Sequence, residues 1–209
     1  MSQENVKLER EATTLQEKTS HPRISFSNFF KTFLIVGFPL HVWALLMVFR
    51  DIEFVAERTE MWDAIGYAGY TMMFTLAESL ILAVIVWALS LLLPRNWSNQ
   101  RALSISGSAF LVLAGASIED MAFHAFNEAR ISRQYLYGLE NFTALTYALI
   151  AAAVVVGTAL SAFLILKTKW GEKAFAEIFD RIILLGYFYL FLDLAGIIIV
   201  ILRNVSEAI

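Results

Sequence analysis

The sequence predicts an all-α fold: a polytopic integral membrane protein, built as a bundle of five transmembrane helices with short connectors. Three observations carry this. First, five apolar stretches cover 29–49, 70–93, 102–126, 142–166 and 182–202, each long enough for a hydrocarbon core that needs roughly 20 helical residues. Second, the 209 residues are 58% hydrophobic and only 17% charged, whereas a soluble domain runs at about 45–50% apolar and about 25% charged. Third, the sixteen Lys and Arg residues sort unevenly between the two sides that five spans define. One side carries eleven, from the N-terminal tail and the connectors after spans two and four; the other carries five, namely Arg50, Arg58, Arg130, Arg133 and Arg203. Basic residues stay in the cytoplasm, so the expected topology puts the N-terminus inside and the C-terminus outside, in the plasma membrane.

Residues 1–28 are polar and mixed in charge, with Glu4, Lys7, Glu9, Arg10, Glu11, Glu17 and Lys18. They read as a largely disordered cytoplasmic tail without the apolar core of a cleaved signal. Residues 29–209 form the membrane domain, and span one acts as its signal anchor. Gly37 and Pro39 predict a kink there, since Pro39 removes one helical hydrogen bond. The acidic connector that follows holds Phe54, Val55, Met61, Trp62 and Ile65. These predict a short helix along the interface, with Trp62 at headgroup depth.

Packing in lipid depends on close backbone approach and polar contacts, because lipid tails are as apolar as the helices. Span three is rich in small residues from Ser104 to Ser117, and span four presents Ala153, Gly157 and Ser161 at intervals of four. These two helices are therefore expected at the centre. Before span five, Phe175, Ile178, Phe179 and Ile182 follow helical spacing and predict an interfacial turn.

The unusual feature is a layer of ionisable residues inside the spans: His41 in span one, Glu78 in span two, Glu119, Asp120 and His124 in span three, and Asp193 in span five. Such residues are costly in lipid and mark functional candidates. Counting 1.5 Å per residue from the outer ends puts His41 and Glu78 both about 12 Å deep, Glu119 and Asp120 about 9–10 Å and Asp193 about 14 Å; His124 is shallower. Glu78 shares a stripe with Thr71 and Thr75, His41 with Gly37 and Ala44, and Asp193 with Gly186, Tyr189 and Gly196, so inward orientation is expected. Four carboxyls then face one histidine, which requires protonation, outside water or a neutralising cation.

Three readings of this layer stand side by side. His41, Glu78, Glu119, Asp120 and Asp193 form a polar network that fixes helix register, or the same residues handle protons or cations. Alternatively, His41, Glu78, Asp120 and His124 ligate a divalent metal, since carboxylate and imidazole suit Zn²⁺, Mn²⁺ or Fe²⁺. A haem between His41 and His124 conflicts with a depth difference of about 8 Å. The absence of cysteine removes thiol chemistry, and no zinc-protease helix, nucleophile elbow or phosphate loop occurs. No catalytic set and no cofactor are expected. The chain reads as an accessory or interaction subunit, its partners being the lipid bilayer and another membrane protein; no basic patch suits nucleic acid. A proton- or cation-linked transport component and a metal-dependent enzyme at the outer leaflet are the alternatives.

Overall fold

The computed structural model describes residues 25–94, 96–127 and 140–207; the tail to residue 24 and the connector between spans three and four lie outside them. Five long helices form a bundle: α1 (Phe26–Arg58), α2 (Met61–Ser90), α3 (Asn99–Asn127), α4 (Glu140–Lys167) and α5 (Lys169–Glu207). All five are long and apolar enough to cross a membrane. Each matches one apolar stretch, and all but the C-terminal end of α2, which stops at Ser90, run past it, because helical hydrogen bonding continues beyond the hydrocarbon into the charged flanks.

That continuation corrects the connector after span one. A separate interfacial helix does not form; α1 runs to Arg58 and α2 starts at Met61. Residues 50–58 include Arg50, Glu53, Glu57 and Arg58, which favour helix once outside the lipid. Thr59 then closes the last turn, donating from its backbone N–H and its hydroxyl to the Val55 carbonyl at 3.0 and 2.7 Å. The Asp63 carboxylate accepts from the Glu60 backbone N–H at 3.4 Å to open α2. Phe54 and Trp62 are exposed, as an interface requires. The predicted turn at Phe175–Ile182 is likewise absorbed into α5, where Phe179 is fully buried.

The expected centre also moves. Within its apolar window α1 is 56% buried inside the bundle, whereas α4 is only 11% buried. The core lies along α1: Phe33, Leu34 and Val36 pack with Ala83 and Val86 of α2, and Ile35 with Leu103 of α3 and Phe179 and Ile182 of α5. Ala44 and Val48 meet Met72 nearer the other end. Among the described small residues of α4 predicted to pack, two reach the bundle. A Cβ on Gly157 would lie 3.1 Å from Val112 of α3, and Ser161 is buried, but Ala153 is exposed. Small residues permit close approach; they do not decide which helix ends up surrounded.

Close crossings at α1, α2 and α5 use other glycines. A Cβ on Gly196 of α5 would stand 2.9 Å from the Gly69 carbonyl oxygen of α2, and one on Gly186 would stand 2.9 Å from Leu34 Cβ of α1. Polar ties close the bundle at both ends. At the Asp63 end, Arg203 of α5 donates to Asp63 of α2, the Tyr70 hydroxyl to Asn204 at 3.2 Å, and the Tyr67 hydroxyl to Asp51 at 3.3 Å. At the opposite end, Arg101 of α3 donates to Glu172 of α5 at 2.9 Å.

Candidate functional site

Inside this frame the crossing of α1 and α5 brings two of the intramembrane ionisable residues together. His41 Nε2 lies 2.9 Å from Asp193 Oδ1, and each residue is only 2% exposed. Gly186 lets α5 approach α1 closely, which brings the turn bearing Asp193 against His41. The second imidazole nitrogen, Nδ1, lies 2.7 Å from the Gly37 carbonyl oxygen one turn back on α1. Tyr189, one turn before Asp193, stacks on the imidazole at 5.1 Å and 20°.

Hydrogen-bond chemistry limits how these contacts can be made. A carbonyl oxygen only accepts, so the contact with Gly37 requires a hydrogen on Nδ1. A single further hydrogen is then needed between Nε2 and Oδ1. Whether it rests on nitrogen, giving imidazolium and carboxylate, or on oxygen, giving two neutral groups, the pair carries no net charge. That is how a histidine and an aspartate share a site with little access to water. Removing the hydrogen leaves one uncompensated negative charge in the core, which is strongly unfavourable.

The site is not saturated. Among the described residues, Asp193 Oδ2 is buried without a hydrogen-bond partner, as is the hydroxyl of Ser79. A cavity of about 10 Å³, lined by Gly37, His41, Gly186, Tyr189 and Asp193 with three apolar neighbours, adjoins the pair. That is about the space of one water molecule, not of an organic substrate. Ser79 and the imidazole both border Gly37: a Cβ there would lie 3.6 Å from Ser79 Oγ and 3.5 Å from His41 Nδ1.

The remaining candidates are placed elsewhere. Glu78 is exposed on α2 and Glu119 is exposed on α3, while Asp120 is half-buried. His124 lies in the helical backbone of α3, but its side chain is outside the described ones. Of the proposed metal set, His41 is buried and Glu78 is turned outward; no group of three or more metal-ligating side chains occurs among the described residues. Ser79, next to Glu78, lies beside Gly37 of α1, one turn from His41. The side chains nevertheless diverge: Thr75 and Ser79 face inward, and Glu78 falls with exposed Phe74. Sequence reasoning did not find Ser79 as a member of the buried polar site; its one signal was a hydroxyl inside an apolar run.

Comparison with family models, with curated proteins and with solved structures gives no match for this chain. What stands is a small, all-helical, multi-pass membrane protein with a buried His–Asp pair and salt-bridged ends.

Proposed function

We propose that the protein is an accessory subunit of a larger assembly in the plasma membrane, with a polar core that holds helix register and an outer face that meets a partner within the bilayer. The observation that carries this reading is the outward carboxyl of Glu78. It lies twelve residues from the nearer end of α2, about 18 Å along the helix. Ionisable residues at such positions normally face a bundle interior or an aqueous cavity. A carboxyl on the outer surface has the character of an interior residue whose other wall belongs to another chain. In this reading the Glu172 end, with Lys167, Lys169, Lys173 and Arg181, is cytoplasmic. The test is purification from native membranes in mild detergent: a second integral membrane protein co-elutes at fixed stoichiometry. A protein that elutes with lipid alone under several detergents ends the reading.

A second reading, a proton-linked transport component, is favoured by the buried 2.9 Å contact between His41 Nε2 and Asp193 Oδ1. In proteoliposomes it predicts proton flux that Asp193→Asn abolishes while the fold is kept; flux equal to that of empty vesicles rejects it.

A further inference from the structure

The outer face of α2 carries more than one acidic residue out of place. Phe74, Ala77, Glu78, Ile81, Ile85 and Ala88 are all exposed and recur at intervals of three and four, so they form one continuous stripe along the helix. Phe74 and Ile81, each 62% exposed, flank Glu78 one turn away on either side. Ala77 lies beside it, small enough for another backbone to approach. Among the described residues nothing donates a hydrogen bond to the Glu78 carboxyl. Lipid ammonium groups lie at the surface, about 12 Å away along the helix, beyond the reach of a glutamate side chain.

We infer that this stripe is the docking surface for a transmembrane helix of a different protein, one that presents a basic side chain at the depth of Glu78. Charge complementarity selects this occupant. In a medium without water, a carboxyl is stabilised by a cation or a strong donor. A second copy of this chain has no cation to offer at that depth, because none of its five spans carries Lys or Arg in its middle and His41 is enclosed and bonded to Asp193. Apolar contacts from Phe74 and Ile81 above and below would seal the pair from lipid and water. The inference rests on the accessory-subunit reading and adds to it the location and chemistry of the contact.

The absence of cysteine makes the test direct. Single cysteines carrying a photo-crosslinker replace Ala77, Ile81 and, as an exposed control, Val155 on α4, in the full chain within its native membranes. The expected result is one heterologous adduct from positions 77 and 81 and none from 155. Its cross-linked peptide should lie in a transmembrane segment with Lys, Arg or His within one turn. Glu78→Gln lowers the adduct yield at least about tenfold, at the low end for removing one charge of a buried pair. Exchanging the charges, with Glu78→Lys here and the partner's basic residue to Glu, restores it. An adduct of twice this chain's mass, a partner segment without a basic residue, or a yield unchanged by Glu78→Gln overturns the inference. A partner captured from position 155 but not from 77 or 81 also overturns it, yet leaves the subunit reading standing. No adduct from any position, together with elution of the protein alone, ends both.

Discussion

Replacing His41 and Asp193 in different ways should separate a shared hydrogen from simple charge attraction. Asp193→Asn keeps the shape of the side chain and supplies an amide N–H that can donate to Nε2 of a neutral imidazole, while Nδ1 stays bonded to Gly37. The bridge survives as a neutral hydrogen bond. The expected loss is about 1 kcal/mol, the difference between a charge-assisted bond and an ordinary one. His41→Phe fills the ring's volume but strands the Asp193 carboxyl, whose Oδ2 already has no partner among the described residues. Removing one member of a buried pair costs about 3–5 kcal/mol. With roughly 2–4 °C per kcal/mol for a chain of this size, the shifts in Tm are about 2–4 °C for Asp193→Asn and about 6–20 °C for His41→Phe. The double variant His41→Phe, Asp193→Leu has no stranded group and should return close to the native Tm, as apolar replacements of buried pairs do. Thermal unfolding in one detergent, followed by tryptophan fluorescence and by size-exclusion recovery, reads all three. An Asp193→Asn variant as damaged as His41→Phe would refute the shared-hydrogen argument, and a harmless His41→Phe would show that the pair is not enclosed.

Four further outcomes follow from the packing and the polar ties. Gly196→Ala puts a Cβ 2.9 Å from the Gly69 carbonyl, a backbone atom that cannot swing away, so it should destabilise by about 1–3 kcal/mol. Gly115→Ala meets nothing within 4 Å among the described residues and should stabilise, by up to about 1 kcal/mol of helix propensity; paired thermal melts decide both. At the Asp63 end, the guanidinium of Arg203 occupies the space beside Gly66. Gly66→Ala therefore displaces Arg203 and breaks its bond to Asp63, while in an Arg203→Ala background the same substitution should become stabilising; a double-mutant cycle detects the change of sign. Arg101→Ala removes the tie between α3 and α5 at the opposite end. Because both side chains are about one-third exposed, the expected cost is only about 0.2–1 kcal/mol, read as a small Tm shift that high salt reduces.

The five helices were legible because an uninterrupted apolar run of bilayer length has few other structural meanings. Their ends were less so: Arg50 to Arg58 continue α1 although the uninterrupted apolar run stops at Phe49 and the segment reads as a separate interfacial helix, and the break falls at Thr59 and Glu60. Which residues face inward was the least legible. In water a buried face is apolar and an exposed one polar; in lipid both are apolar, so the periodic signal that normally sorts them fades. Asp193 and His41 were in the predicted layer and do meet. Glu78 had the same spacing from threonines as an inward residue, but it lies one-sixth of a turn beyond Thr75, enough to carry it outward. The central place of α1 was hidden for a related reason: the residues that surround it, such as Phe179 and Val86, resemble lipid-facing ones.

The pairing of His41 with Asp193 also has a consequence in time. The two residues are 152 positions apart, and at about 5–20 residues per second a ribosome needs roughly 8–30 s to make that interval. The helix that ends up most enclosed is thus laid down first among the five and waits through the synthesis of three others for its acidic counterpart. A histidine can wait uncharged, its Nδ1 hydrogen held by its own helix at Gly37, where an aspartate in the first helix would have to stand alone in oil. Placing the imidazole early and the carboxyl late means that Asp193 enters the membrane with its partner already in place, and the fifth helix latches the other four.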